Sequence, residues 1–212
     1  MERLSIPATK SNQIRIKEEL DIAQDGKELL DQKKDILISH INLLTDKADR
    51  ARKHLDEILL DAYSKLEMAI IEAGRSNVEA AGIAVDAGIE IEVRERSLMG
   101  VVLPLVSIKV PDFKPEYGLG TTTASMDQVR QTILSALDVL GELAEVEIGL
   151  QRLMHETKKT LKRINALSYI YIPLYKATLK FIEQSLEEKD REGLFQLKRI
   201  KARTKPKKRS EL

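Results

Sequence analysis

The sequence predicts an all-α-dominated fold: a long antiparallel two-helix coiled coil with a small β-hairpin insertion in the middle of the chain. Three observations predict it. Heptad seams run through the first and last thirds, and a stretch of period two lies between them. Aromatic residues make up only 4% of the 212 residues and charged residues 33%, a balance that suits long solvated helices better than a globule with a large core.

The first seam follows steps of 3 then 4 from Leu20: Leu20, Ala23, Lys27, Leu30, Lys34, Leu37, Ile41, Leu44, Ala48, Ala51, Leu55, Ile58, Ala62, Lys65 and Ala69. All three exceptions to its apolar character are lysines. Steps of 4 then 3 from Val129 give a second seam: Val129, Ile133, Ala136, Leu140, Leu143, Glu147, Leu150, Met154, Thr157, Leu161, Ile164, Ser168, Tyr171, Tyr175, Thr178 and Ile182. A repeat of 3.5 sustained this long keeps one side of a helix against a partner helix. Each helix would be on the order of 100 Å long at 1.5 Å per residue.

Before the first helix, Pro7 precedes Thr9 and Ser11, either of which can cap it. The helix is expected from about Ser11 to Glu72 or beyond, loosened by Gly74, Ser76 and Asn77. Ile89 to Arg96 then alternates apolar and charged residues, the mark of a half-buried strand. Val101 to Val110 is β-branched and apolar, with Pro104 inside it, which suits an edge strand. Ser97 to Gly100 is the hairpin turn between them, and Pro111 to Ser125 reads as loop. The second helix begins near Ala124 to Val129 and continues to about Arg199. Pro173 interrupts it, yet the heptads run on, so a kink is expected there and not an end. The predicted divisions are 1–75 for the first coil helix, 76–124 for the hairpin and loop connection, 125–203 for the second coil helix, and 204–212 for a basic disordered tail.

Two such helices joined by residues 76–124 fold back most simply as an antiparallel pair, with the hairpin at the turn-around and both termini at the other end. The alternative is a compact four- or five-helix bundle broken at Gly141, Gly149 and Pro173. Net charge is +1, so the whole chain has no strong bias toward nucleic acid or membrane. The charge is uneven, because residues 198–212 carry eight Lys or Arg against one Glu. Cysteine is absent, which excludes disulfides and thiolate metal sites. The N-terminus has no apolar run fit for a signal peptide, and no stretch approaches the roughly 20 residues that span a bilayer. A soluble protein is expected.

Two apolar stripes lie beside the seams. Ile22, Leu29, Ile36 and Leu43 are spaced seven apart on the first helix. Val139, Val146, Leu153, Leu167, Leu174 and Phe181 widen the face of the second. A two-stranded coil needs only a narrow seam, and a wider stripe normally faces something else. A third segment of the same chain is one candidate, but the middle region is too short to cover both stripes, which favours partner subunits. Lys27, Lys34 and Lys65 can fix register as buried polar groups do, or can run their stems along the seam with the ammonium in water.

Catalytic patterns are missing. Gly118-Leu119-Gly120 is followed by threonines without the lysine of a phosphate loop. His40 and His54 share a helix face but lie about 21 Å apart by helix rise, too far to share a metal. His155 stands alone. No nucleophile, base and oxyanion donor assemble, so no catalytic residue, cofactor site or metal site is expected.

The stretch Glu156-Thr157-Lys158-Lys159-Thr160-Leu161-Lys162-Arg163-Ile164-Asn165-Ala166-Leu167-Ser168-Tyr169-Ile170-Tyr171-Ile172-Pro173 resembles the E-K-T-x-R-R-V-N-A-L-E-x-x-x-I-P signature of the D subunits of V-type and archaeal A-type rotary ATPases. Leu186 to Glu192 and Phe195 to Lys201 resemble that family's C-terminal run. Pro7 to Lys10 and Gly26 to Asp35 resemble its P-T-(K/R) and G-x-x-L-L-K-x-K-R-D segments. Ala8 splits the Pro-Thr pair, Asp31-Gln32 replaces a basic stretch, and Ser168 stands where the family usually has Glu.

The resemblance implies a non-catalytic central rotor shaft that couples ATP synthesis or hydrolysis to H+ or Na+ transport. Its implied partners are the F subunit of the stalk, the catalytic head of A and B subunits, and the ring-capping subunit of the membrane rotor. Neither nucleic acid nor direct membrane insertion is implied. The location would be cytoplasmic, peripheral to the membrane. The end bearing both termini would enter the head, with Lys198, Arg199, Lys201 and Arg203 facing its interior, while Lys205 to Arg209 form a solvated tail. A prefoldin-like coiled-coil chaperone is the alternative from another class, and a nucleic-acid binder acting through the basic tail is a second.

Overall fold

The computed structural model describes residues 3–85, 88–109, 118 and 123–204. The expected disordered tail from Lys205 onward, most of the loop from Pro111 to Ser125, and the Leu119-Gly120 pair lie outside the described residues. Helix α1 spans Lys10–Ala73 and α2 spans Arg75–Ala84. Strands β1, Glu90–Leu98, and β2, Val101–Lys109, form the hairpin. Helix α3 spans Ala124–Ala166, and α4 spans Ile172–Thr204 after a π-helical turn at Leu167–Tyr171. The chain divides into two compact units, Met1–Lys34 with Lys159–Leu212, and Asp35–Lys158. Among the described residues, no helix is long and apolar enough to cross a membrane.

In the second unit, α1 and α3 run antiparallel. Lys47 pairs with Glu142 at 2.8 Å and Arg52 with Glu147 at 2.6 Å, while Ser125 Oγ donates to Glu72 at 2.6 Å. Lys65 sits in the seam and reaches across to Thr132 Oγ1 at 2.9 Å. Every seam position predicted on α1, in both units, is buried or half-buried.

On α3 the seam differs from the expected one. Ile133, Leu140, Glu147, Met154 and Leu161, all predicted inside, are exposed. Val146 and Leu153, predicted to face partners, are 1% and 0% exposed. The seam steps 3 then 4 from Val129, through Thr132, Ala136, Val139, Leu143, Val146, Leu150, Leu153, Thr157, Thr160 and Ile164, and none of these is exposed. Burial of Val146 and Leu153 beside Leu37, Leu44, Ala48, Val101 and Leu103 explains the choice. The hairpin adds its own apolar side chains to that phase of the helix, so burying aliphatic groups there gains about 1.5–3 kcal/mol each.

The hairpin closes through Met99 and Gly100, both at positive φ, 50° and 80°. Two such residues give the tight turn whose twist suits antiparallel strands. The register pairs Val93 with Val106 and Glu95 with Pro104. Val106 N–H points away from β1 and donates to Glu145 at 3.2 Å. Two residues back, Pro104 has its nitrogen on that same outer side, so its missing N–H removes no ladder hydrogen bond. Arg152 Nη1 donates to Val102 O at 2.8 Å, and α3 thus covers the outer edge of β2. Gly141 and Gly149 leave room for Ile108 and Leu103 to approach α3.

Sequence reasoning missed α2. Gly74, at φ 81°, ends α1 and redirects the chain into a second helix. Ala81 and Val78 of α2 pack with Ala69, Met126 and Val129.

In the first unit the segment before α1 lies on α4. Leu4 N–H donates to Thr178 Oγ1 at 3.0 Å, and Thr178 Oγ1 donates to Leu174 O at 2.7 Å. The Arg3 guanidinium lies 3.6 Å above the Phe181 ring, and Lys189 Nζ donates to Ala8 O at 3.3 Å. Pro173 does not end the helix. Ile172 N–H donates to Leu167 O, five residues back, and the wider turn accommodates the ring that an α-helix interior would reject. Beyond it Thr178 and Ile182, both positions of the expected second seam, are fully buried.

Candidate partner-binding surfaces

Among the described residues no group of three or more His, Asp or Glu is placed to hold a metal ion. His40 is half-buried, while His54 and His155 are exposed. The side chains that remain to be explained are therefore those left facing outward.

Ile22, Leu29, Ile36 and Leu43 all come out exposed on α1, Ile22 at 71% and Leu29 at 65%. They share one face off the seam, because a spacing of seven returns to nearly the same azimuth on a helix. The stripe expected on the second helix divides. Val146 and Leu153 are core, as described, and Val139, Leu167, Leu174 and Phe181 are half-buried. The outward apolar row on α3 is instead Ile133, Leu140 and Met154 in the second unit, with Leu161 in the first. Its spacing of seven is visible in the sequence, but periodicity alone puts the row on the wrong side of the helix.

At the π-helical turn Tyr169 is 79% exposed, and Tyr171 and Tyr175 lie with ring centroids 6.4 Å apart. Toward its end α4 exposes Leu194, Phe195, Leu197 and Ile200 among Lys198, Arg199, Lys201 and Arg203. Large apolar groups left in water at this density mark contact surfaces. A cavity of about 350 Å³ opens between α2 and α3, lined by Leu66, Val78, Val85, Met126, Ile133 and Leu137 among others. Apolar rows, a basic helix end and an aromatic patch are thus left facing outward among the described residues.

The profile of the ATP synthase D-subunit family matches residues 12–202. The chain is 38% identical over 204 residues to the D subunit of the A-type ATP synthase from Pyrococcus furiosus, covering 95% of each chain. It is 36% identical to the protein of that name from Thermococcus kodakarensis, again over 95% of each. The corresponding D subunit from Methanopyrus kandleri is 34% identical over 195 residues, 91% of this chain and 84% of that one.

Proposed function

This chain belongs to the D-subunit family of ATP synthases, and we propose that it is the rotor shaft of a V/A-type ATPase, a non-catalytic component that carries torque between the catalytic head and the membrane ring. In that role it couples ATP synthesis or hydrolysis to transport of H+ or Na+. Family membership displaces the prefoldin-like chaperone reading. The observation that carries the proposal is α1 itself: 64 residues without a break, with a paired seam along its length. A continuous helix packed against a partner resists bending and twist better than short helices joined by loops.

The end that holds both termini enters a head of A and B subunits, with Lys198, Arg199, Lys201 and Arg203 toward its interior. The exposed rows on α1 and α3 meet the F subunit of the stalk and the ring-capping subunit, so that no part of this chain inserts into the bilayer. The complex holds the chain on the cytoplasmic face of the membrane. A shaft without threefold symmetry offers each of three equivalent catalytic interfaces a different side, and so biases each between open and closed states through differential contacts.

The chain has no cysteine, which makes a direct test simple. Ser97→Cys at the hairpin would carry a bead on the reconstituted complex with its head fixed to glass. ATP should drive the bead in one direction. A bead that stays fixed relative to the head would overturn the shaft assignment.

A further inference from the structure

The hairpin has two long edges, and α3 covers the one on β2. Val106 N–H donates outward to Glu145, and Val102 O accepts from Arg152 on the same side. Their partners across the hairpin are Val93 and Ser97. Opposed residues of an antiparallel pair alternate between bonded and unbonded positions, so Val93 and Ser97 turn their own N–H and C=O groups away from β2. Ile91 and Glu95 share that phase. Among the described residues the sheet has two strands, and the outward backbone groups of Ile91, Val93, Glu95 and Ser97 have no hydrogen-bond partner. The apolar side chains here face water too, Ile91 at 64% exposure and Val93 at 60%. A strand edge of this kind is a template for another strand.

The charges along β1 select which strand fits. Residues 90–96 read Glu-Ile-Glu-Val-Arg-Glu-Arg. A second copy of β1, antiparallel to the first and centred on Val93, sets Glu92 opposite Arg94 and Glu90 opposite Arg96. The twofold axis repeats both pairs. Opposite charges directly opposed stabilise a strand pair, and like charges destabilise it. Neighbouring registers fail on that ground. Centring on Ile91 opposes Glu90 with Glu92, and centring on Glu95 opposes Arg94 with Arg96. Centring on Glu92 or Arg94 sets that residue against itself. The Val93 register also suits the backbone, because the outward groups of Val93 meet those of its twin and the outward groups of Ile91 meet those of Glu95. Arg94 lies 2.9 Å from Glu92 within one copy, and Arg96 lies 3.7 Å from Glu145. Both arginines keep more than half of the side chain exposed and can turn to a second copy.

We propose that the open edge of β1 binds a second copy of this chain, joining two hairpins into one four-stranded antiparallel sheet. The inference does not depend on the shaft reading. On that reading the pair is a form of the chain outside its complex, since one axis holds one shaft. Val93 sits at the twofold axis beside its twin, and the stem of Glu95 covers Ile91 of the other copy. One strand pair makes a small interface, so the pairing is reversible and depends on concentration.

The test is sedimentation equilibrium of the full chain over a range of concentrations. Wild type should pass from monomer to dimer as concentration rises. Arg94→Glu opposes two acidic side chains, twice by symmetry, and should weaken the dimer about tenfold. Adding Glu92→Arg to Arg94→Glu restores opposite charges and should recover wild-type pairing. Val93→Pro removes an outward N–H without removing a ladder bond to β2, and it too should weaken the dimer. Native cysteine is absent, which allows a check of register. Val93→Cys places two thiols about 5.5 Å apart between α-carbons, a separation a disulfide spans, so mild oxidation should yield a covalent dimer. Ile91→Cys stands about 13 Å from its twin at 3.3 Å per residue and should not cross-link. A monomer at every concentration would overturn the proposal. So would a dimer indifferent to Arg94→Glu, one that the double exchange fails to rescue, or equal cross-linking at both positions. Circular dichroism of each variant keeps loss of structure from being mistaken for loss of pairing. None of these results bears on rotation in the assembled complex, so failure here leaves the shaft reading as it stands.

Discussion

Ile108 of the hairpin rests directly on Gly141 of α3: a β-carbon added at the glycine would stand 2.9 Å from Ile108 Cδ1 and 3.0 Å from its Cγ1. Gly149, two turns on, is less confined, with its nearest neighbours Leu44 Cδ1 at 3.6 Å and Leu103 Cδ2 at 3.8 Å. Alanine in place of glycine gains up to ~1 kcal/mol in helix propensity at either site, while overpacking costs ~1–3 kcal/mol. Gly149→Ala should therefore stabilise the protein by ~0.5–1 kcal/mol, and Gly141→Ala should destabilise it by about 1 kcal/mol. Urea unfolding followed by circular dichroism distinguishes the two. Equal effects would mean that the hairpin yields freely at Ile108.

Two buried threonines should respond in opposite directions to valine. Thr160 Oγ1 is buried with no hydrogen-bond partner among the described residues, so Thr160→Val should stabilise by about 1 kcal/mol. Thr178 both accepts from Leu4 and donates to Leu174. Thr178→Val should cost about 1–2 kcal/mol and should speed amide exchange at Leu4. Thermal unfolding and hydrogen exchange measure these effects.

Leu153 and Leu29 separate core from contact surface. Leu153 is fully buried and Leu29 is 65% exposed. Leu153→Ala should lose ~2–5 kcal/mol of stability. Leu29→Ala should change stability by less than ~0.5 kcal/mol, yet weaken assembly with partner subunits. Unfolding curves paired with co-purification yields provide the readout, and a stable Leu153→Ala variant would contradict the seam described for α3.

Arg152 holds the outer edge of β2 through the carbonyl of Val102. Because the side chain is exposed, Arg152→Ala should cost only ~0.5–1.5 kcal/mol. Exchange of backbone amides over residues 101–109 should nevertheless quicken, while exchange over α1 stays as it is.

The seam of α1 was legible because its apolar residues occupy one phase and polar residues occupy the others. The hairpin was legible for a similar reason, since alternation from Ile89 to Arg96 and the β-branched run after Val101 fit no helix. On α3 two phases compete. Ile133, Leu140, Met154 and Leu161 make one row as apolar as Val139, Val146 and Leu153, and Thr157 and Thr160 disguise the buried one. What decides is the hairpin, whose contact with Gly141 and Gly149 is a tertiary choice that no local period encodes. The short α2 was hidden by Gly74, which reads as a loosening when taken alone but here starts a new helix. The π-helical turn announces itself only through Pro173, a signal for irregularity that does not specify its kind. Of the surface residues anticipated, the α1 row of Ile22, Leu29, Ile36 and Leu43 faces outward, whereas Val146 and Leu153 do not.

The bond between Leu4 and Thr178 joins positions 174 residues apart. On the ribosome, the opening segment therefore cannot make this bond until residue 178 has been added. The hairpin and the start of α3 can close long before then, since their contacts lie near one another in sequence. Contacts between residues near in sequence carry a smaller loop-closure cost than the Leu4–Thr178 bond does. A chain cut short before Thr178 leaves its opening segment without this bond.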